Sequence, residues 1–355
     1  MSVSRRRFLG AGAVAAAGLS LGRFRTAGAT PLFAPLRSAR LPAHPVIVSS
    51  ANGLRGVAKA YDLVVGGSDP LDAVIAGVNI QELDPEDQSV GLGGLPNEEG
   101  VVQLDASCMH GPTKRAGAVG ALEDIATPSL VAKAVMDYTD HIFLAGAGAK
   151  KFALEMGFKE QNLLTEKSRQ DWLRWKAHLG PDNSWLKHDD DVKVKFTTGT
   201  INMNVVTTSG DLASVTTTSG LSWKLPGRVG DSAIVGAGQY CDNAVGAAGS
   251  TGRGEANIKV CGAFFVIEQM RQGVAPQQAC LTALQRAVAM SERRLLDPKG
   301  RPMYGLQYYA VGKDGRYAGV TLYEGRQFAV ADAKGARLED CAFLYRRSEM
   351  PPSAW

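Results

Sequence analysis

Gly199-Thr200-Ile201-Asn202-Met203 is the stretch of this 355-residue chain that reads most directly as chemistry. A threonine hydroxyl is a weak nucleophile until a base takes its proton, and the α-amino group of the same residue is a base that needs no second side chain. The unperturbed pKa of such an amine, about 7.7–8.0, suits neutral pH. The amine exists only once the Gly199–Thr200 bond is broken, so this chemistry requires an internal cut. Glycine ahead of the threonine tolerates strained geometry and leaves its carbonyl open to attack by the threonine oxygen. Taken alone, a threonine opening the β-prone run TINMNVVTT is equally an ordinary strand start.

The residues that follow change the balance. From Thr216 the chain reads TTTSGLSWKLPGRVGDSAIVGAGQYCDN, then AVGAAGSTGRGEANIKV. GRVGDS followed by GAG and TGxGE resembles the signature of the N-terminal nucleophile hydrolase family of glycosylasparaginases and plant-type asparaginases. Upstream, DPEDQSVGLGGLPNEEGVVQLDA from Asp84 to Ala106 is more similar to the glycosylasparaginase branch, and the similarity runs from about Pro45 to Phe343. The resemblance implies an α+β fold, a four-layer αββα sandwich with two sheets face to face and helices outside. The αβ order agrees, because α and β blocks occur without the regular βαβ repetition of a doubly wound parallel sheet.

The resemblance also assigns roles. Thr200 becomes nucleophile and base, and Thr218 the second threonine that orients or polarises it. Without the family, Thr216 to Thr218 read as an exposed strand edge. Arg228 and Asp231 form a clamp for an α-amino acid, the guanidinium meeting its carboxylate and the carboxylate its ammonium. A salt bridge within the loop would use the same pair. Thr251 and Gly252 supply the oxyanion hole through a hydroxyl and a backbone N–H, with Gly252 also at the substrate and the Gly254 carbonyl free for the ammonium. Ser89 matches a family serine beside the scissile bond, which makes Gly199, Thr200 and Ser89 the autoprocessing group.

Two departures bear on the substrate. Gly199 stands where glycosylasparaginases carry aspartate, as in the asparaginase branch, and Ser49-Ser50-Ala51-Asn52-Gly53 replaces a tryptophan-containing STWxFG. Asn202, where glycine is usual, adds bulk close to the nucleophile. The implied activity is cleavage of the side-chain amide of N4-(β-N-acetylglucosaminyl)-L-asparagine to L-aspartate and a glycosylamine. An L-asparaginase or isoaspartyl dipeptidase is the alternative, and a non-catalytic amino-acid-binding homologue would keep the clamp without being cut. No cofactor or metal is expected, and the partner is a small asparagine derivative.

The elements that must hold these residues begin after a leader. SRRRFLG from Ser4 carries paired arginines before the apolar run AGAVAAAGLSLG, and Ala27-Gly28-Ala29 offers a cleavage site. The run is too short for a membrane anchor. Residues 1–29 are therefore expected to be a twin-arginine signal for the periplasm or secretion, 30–199 the α subunit and 200–355 the β subunit, in one domain. Losing the five leader arginines takes the formal charge from +4 to −1, so the basicity implies no nucleic-acid partner. The family implies a dimer of αβ heterodimers. The five cysteines have no CxxC spacing and read mostly as buried thiols.

Pro45 to Ser50 is expected as a strand and Asn52 to Val65 as a helix. Asp69 and Pro70 should start a second helix reaching Ile80, and Thr127 should cap a third through Tyr138. Val101 to Asp105 reads as a strand and Ala147 to Met156 as a helix. Ser168 to Phe196 shows no sustained period and reads as loop, exposed just ahead of the cut. Thr200 to Thr208 and Leu212 to Thr218 flank the turn Ser209-Gly210-Asp211, a hairpin signal. AVGAAGSTGRG reads as a glycine-rich loop. Glu255 to Gln272 and Ala275 to Arg294 follow as helices, then strands at Tyr308 to Val311 and Tyr317 to Tyr323.

Overall fold

The computed structural model describes residues 40–179 and 198–352. The leader expected at 1–29 and the part of the loop at 180–197 lie outside these.

In chain order come β1 (Val46–Ser50), α1 (Leu54–Val65), α2 (Pro70–Glu82), β2 (Gln103–His110), β3 (Arg115–Glu123), α3 (Pro128–Tyr138), β4 (Phe143–Ala145), α4 (Gly146–Glu155) and α5 (Glu166–Ala177). After the undescribed stretch follow β5 (Thr198–Val206), β6 (Leu212–Leu221), β7 (Gln239–Asp242), β8 (Gly246–Gly252), α6 (Gly254–Ile258), α7 (Gly262–Arg271) and α8 (Pro276–Ala289). The described chain ends with β9 (Leu306–Gly312), β10 (Tyr317–Tyr323), β11 (Gln327–Asp332), β12 (Gly335–Asp340) and β13 (Ala342–Tyr345).

The strands form two sheets, one ordered β12-β11-β1-β5-β6-β2-β3-β4 and one ordered β13-β10-β9-β8-β7. They pack face to face, β5 and β6 lying over β8, with α1 to α4 on the outside of the larger sheet and α7 and α8 on the outside of the smaller. This is the four-layer αββα arrangement.

The period-2 alternation of strands explains why β5 sits at the centre. Ile201, Met203 and Val205 join Val57, Val74 and Val135 in the core beneath the helices. Thr200, Asn202, Asn204 and Val206 point the other way, into the layer between the sheets, and all four are buried as well. Burying both faces leaves the alternate polar residues no solvent, so they must bond one another. Asn202 Nδ2 donates to Thr216 Oγ1 at 2.8 Å and to the Val215 carbonyl at 3.0 Å, while its Oδ1 accepts from Asn204 Nδ2 at 2.7 Å. Ser214 Oγ closes the chain on Asn204 Oδ1 at 2.7 Å. Gly249 of β8 faces this network, and a Cβ there would meet Asn202 Nδ2 at 2.0 Å. The Asn202 amide is thus accommodated by a glycine across the gap.

Several expectations need correction. Gly246–Gly252 is a strand, β8, because its small residues let the two sheets approach; the glycine-rich loop is not present. The helix expected from Glu255 to Gln272 is broken into α6 and α7 at Cys261, whose backbone is left-handed at φ 46°. Residues 166–177 form helix α5, with Thr165 Oγ1 accepting from the Ser168 N–H at 3.4 Å. Thr127 makes no side-chain cap for α3; the buried Glu82 carboxylate takes that place, accepting from the Ser129 N–H at 3.1 Å. Asp69 does cap α2, accepting from the Leu71 N–H at 2.8 Å. Thr216 to Thr218 are buried in mid-sheet, not an exposed edge. Cys108, Cys241, Cys280 and Cys341 are buried free thiols, and Cys261 is exposed.

Candidate active site

Strand β5 runs without interruption through the Gly199–Thr200 bond. Its pairing with β6 slips there: Gly199 faces Gly220 and Ile201 faces Thr217, so two residues of β6 oppose Thr200 alone. Such a bulge re-aims side chains, and here Thr200 Oγ1 donates to Thr218 Oγ1 at 3.0 Å. Thr218 in turn donates to the Gly199 carbonyl in a short contact and accepts from the Gly220 N–H at 2.8 Å. Ser89 lies against the same peptide, since a Cβ on Gly199 would fall 1.8 Å from the Ser89 Cβ. Glycine at 199 is therefore a steric requirement of this chain. Ser89 is itself fixed by the Ser219 N–H, which donates to its carbonyl at 2.9 Å.

Arg228, Asp231, Thr218 and Gly252 line one narrow cavity with Thr200, of about 10 Å³. Asp231 is fully enclosed, and burial pushes its carboxyl above the usual range against the bonds from Asn257 and Ser250. Ser250 Oγ and Asn257 Nδ2 both donate to Oδ2 at 2.7 Å, while Oδ1 lies beside Gly254. The loop salt bridge between Arg228 and Asp231 does not form. Arg228 instead places Nε and Nη2 on Glu255 Oε1, at 2.9 and 2.8 Å, and turns Nη1 toward Gly220 and Gly230 of the cavity wall. Burial raises the Glu255 carboxyl, but the fields of Arg228 and Arg253 outweigh it and hold the group below its ordinary value.

Residues the sequence reading left without a role hold this clamp in place. Asp105 Oδ2 accepts from the Gly230 N–H at 3.0 Å, tying the clamp loop to β2. The buried Lys224 ammonium donates to the carbonyls of Gln103 at 2.7 Å and Ser219 at 3.0 Å, pinning the turn after Thr218. Glu255 stood in the TGxGE motif and carried a signal; Asp105 and Lys224 carried none.

Thr251 and Gly252 end β8 beside Thr200. Gly252 has φ +118°, and a Cβ there would strike the Gly305 carbonyl at 2.3 Å. A second cavity of about 210 Å³ opens on this side of Thr200, lined in part by Asn52, Thr251, Gly252, Gln307, Tyr309 and Arg326. Asn52 sits in the Ser49–Gly53 segment, and its Nδ2 donates to the Thr200 carbonyl at 3.4 Å. Every residue expected at the site is thus gathered at the head of β5: Thr200, Thr218, Thr251, Gly252, Gly254, Arg228, Asp231, Gly199 and Ser89.

A threonine near the head of a central strand between two stacked sheets, in an αββα sandwich, is the arrangement of an N-terminal nucleophile hydrolase. The asparaginase family model matches residues 44–295, and the chain belongs to that family. An N(4)-(Beta-N-acetylglucosaminyl)-L-asparaginase of Elizabethkingia miricola is 40% identical over 307 residues, covering 85% of this chain and 86% of that protein. The Mus musculus protein of the same name is 35% identical over 266 residues, 68% of this chain and 77% of its own. An isoaspartyl peptidase/L-asparaginase of Xenopus laevis is 36% identical over 228 residues, 63% and 71% respectively.

Proposed function

We propose that the chain cuts itself between Gly199 and Thr200, and that the cut enzyme hydrolyses the side-chain amide of N4-(β-N-acetylglucosaminyl)-L-asparagine to L-aspartate and a glycosylamine. In maturation the Thr200 oxygen attacks the Gly199 carbonyl, which Thr218 polarises, and water resolves the resulting ester. The new amine of Thr200 then serves as base for its own oxygen. With the aspartyl portion on Arg228 and Asp231, the amide carbon comes to Thr200 Oγ1 and its oxygen to Thr251 and Gly252. The amine returns its proton to the departing glycosylamine, and water frees aspartate from the acyl-enzyme.

The observation that carries the substrate is that the two cavities share Thr200 and Gly252. A side chain clamped in one must send its leaving group into the other. That cavity presents an amide at Asn52, another at Gln307 and the Arg326 guanidinium. Such a lining suits an N-acetylated sugar, and it exceeds what ammonia needs. A β-aspartyl peptide, favoured by Gly199 and by the isoaspartyl relatives, would bring a carboxylate toward Arg326. Incubating cut enzyme with glucosaminyl-asparagine, asparagine and β-aspartyl dipeptides, and measuring released aspartate, separates the readings. The glycan-linked substrate should give the highest kcat/KM; a β-aspartyl peptide ahead of it would move the assignment to the second reading.

The leader supports twin-arginine export to the periplasm, and the family supports a dimer of αβ heterodimers. No helix among the described residues is long and apolar enough to cross a membrane. Cell fractionation and sedimentation of the cut enzyme test these two points.

A further inference from the structure

β9 lies beside β8, with Gln307 directly opposite Thr251 and Tyr309 opposite Gly249. Gln307 and Tyr309 are two apart, so both project from the same face as Thr251. The Tyr309 ring is fully buried between the sheets, and its one O–H has two acceptors in reach, Thr251 Oγ1 at the shorter 2.9 Å, where either oxygen can donate, and Gln307 Oε1 at 3.1 Å. Gln307 Oε1 is also within 3.5 Å of Thr251 Oγ1, so it competes for the threonine's proton.

We propose that Tyr309 is a positioning residue for the reaction: its O–H donates to Thr251 Oγ1 and leaves the single proton of Thr251 to point at the scissile amide oxygen. This rests on the proposed role of Thr251 as an oxyanion donor. A threonine hydroxyl has one proton and two lone pairs. With a lone pair taken by Tyr309, the proton loses its nearer acceptor on β9. The tyrosine oxygen can then no longer accept from Thr251, and only Gln307 Oε1, at the longer distance, is left to compete. As charge builds on the substrate oxygen, Thr251 donates more strongly and becomes a better acceptor, so the two bonds reinforce each other. Burial holds the phenol well above its ordinary pKa, which keeps it a proton donor at working pH.

Tyr309→Phe removes one oxygen and keeps the ring. Since loss of a direct oxyanion donor typically lowers turnover by about 10²–10³-fold, loss of the group that aims it should lower kcat about tenfold, with KM within about twofold. The cut into two chains should proceed as in the unaltered protein, because Thr218, not Thr251, contacts the Gly199 carbonyl. In a Thr251→Val background the same substitution should have no further effect on kcat. A Tyr309→Phe enzyme with unaltered kcat overturns the proposal, as does an equal fold-loss in both backgrounds, the mark of a purely structural role. If Thr251→Val alone retains full kcat, the oxyanion reading itself fails and this inference falls with it. Should Tyr309→Phe not accumulate as folded, cut protein, 3-fluorotyrosine at position 309 replaces it: its more acidic O–H should raise kcat, and an unchanged kcat would count against the role.

Discussion

The two faces of β5 are equally dry and chemically opposite. Toward the helices, Ile201, Met203 and Val205 join a continuous apolar core. Toward the second sheet, Thr200, Asn202 and Asn204 are buried too, yet they meet hydroxyls of β6. Apolar packing is non-directional and tolerates rearrangement, whereas a buried polar network is stable only when every member finds its partner. The helix-facing side therefore supplies stability, and the inter-sheet side fixes the register that brings Thr200 to Thr218. A one-residue slip would exchange the two sets and place the nucleophile under the helices.

This division can be broken from either side. Met203→Ala removes a side chain that is wholly enclosed and should lower stability by about 2–5 kcal/mol, measured by urea unfolding. Its kcat and KM at a temperature where it stays folded should match the unaltered enzyme; a large kcat loss would erase the distinction between the faces. Asn202→Ala should cost less, about 1–3 kcal/mol for the partners left unsatisfied. Unlike Met203→Ala it should also slow the Gly199–Thr200 cut, because the Thr216 and Asn204 bonds that hold the register are lost. Equal cutting rates in the two variants would show that the polar network does not set the site.

A smaller effect sharpens the same contrast through pH. Burial raises the Asp231 pKa, so this carboxylate gains its proton at higher pH than an exposed aspartate. As pH falls Asp231 becomes neutral and, in the proposed clamp, loses its attraction for the substrate ammonium. The acid limb of kcat/KM should therefore lie above the ordinary aspartate value of about 3.9. A limb at that value would mean that Asp231 is not the group seen titrating.

Much of the architecture was legible. TINMNVVTT, SGD and LASVTTT together specify the β5–β6 hairpin, and Asp69-Pro70 specifies the start of α2. GRVGDS and TGxGE pointed to Arg228, Asp231, Thr251 and Gly252, which the fold brings beside Thr200. β8 was hidden because Gly246 to Ser250 carry no branched side chain; its glycines serve the close approach of two sheets, which one strand's sequence does not display. The break at Cys261 was hidden for a similar reason. A Cβ on the next residue, Gly262, would meet Asn257 Oδ1 and Tyr308 Oη at 2.0 Å, so the cause lies in tertiary contacts. Tyr309 and Asp105 sit in ordinary strand contexts, and only the stacked sheets give them a partner at the site.

The central claim is that Thr200 becomes a chain terminus before it attacks a substrate. It is tested most directly by following the purified chain over time, with denaturing electrophoresis and N-terminal sequencing beside aspartate release from glucosaminyl-asparagine. The account predicts a new chain that begins at Thr200, aspartate release that rises in proportion to it, and neither in Thr200→Ala. Aspartate release from a chain that remains whole, or from Thr200→Ala, would contradict it.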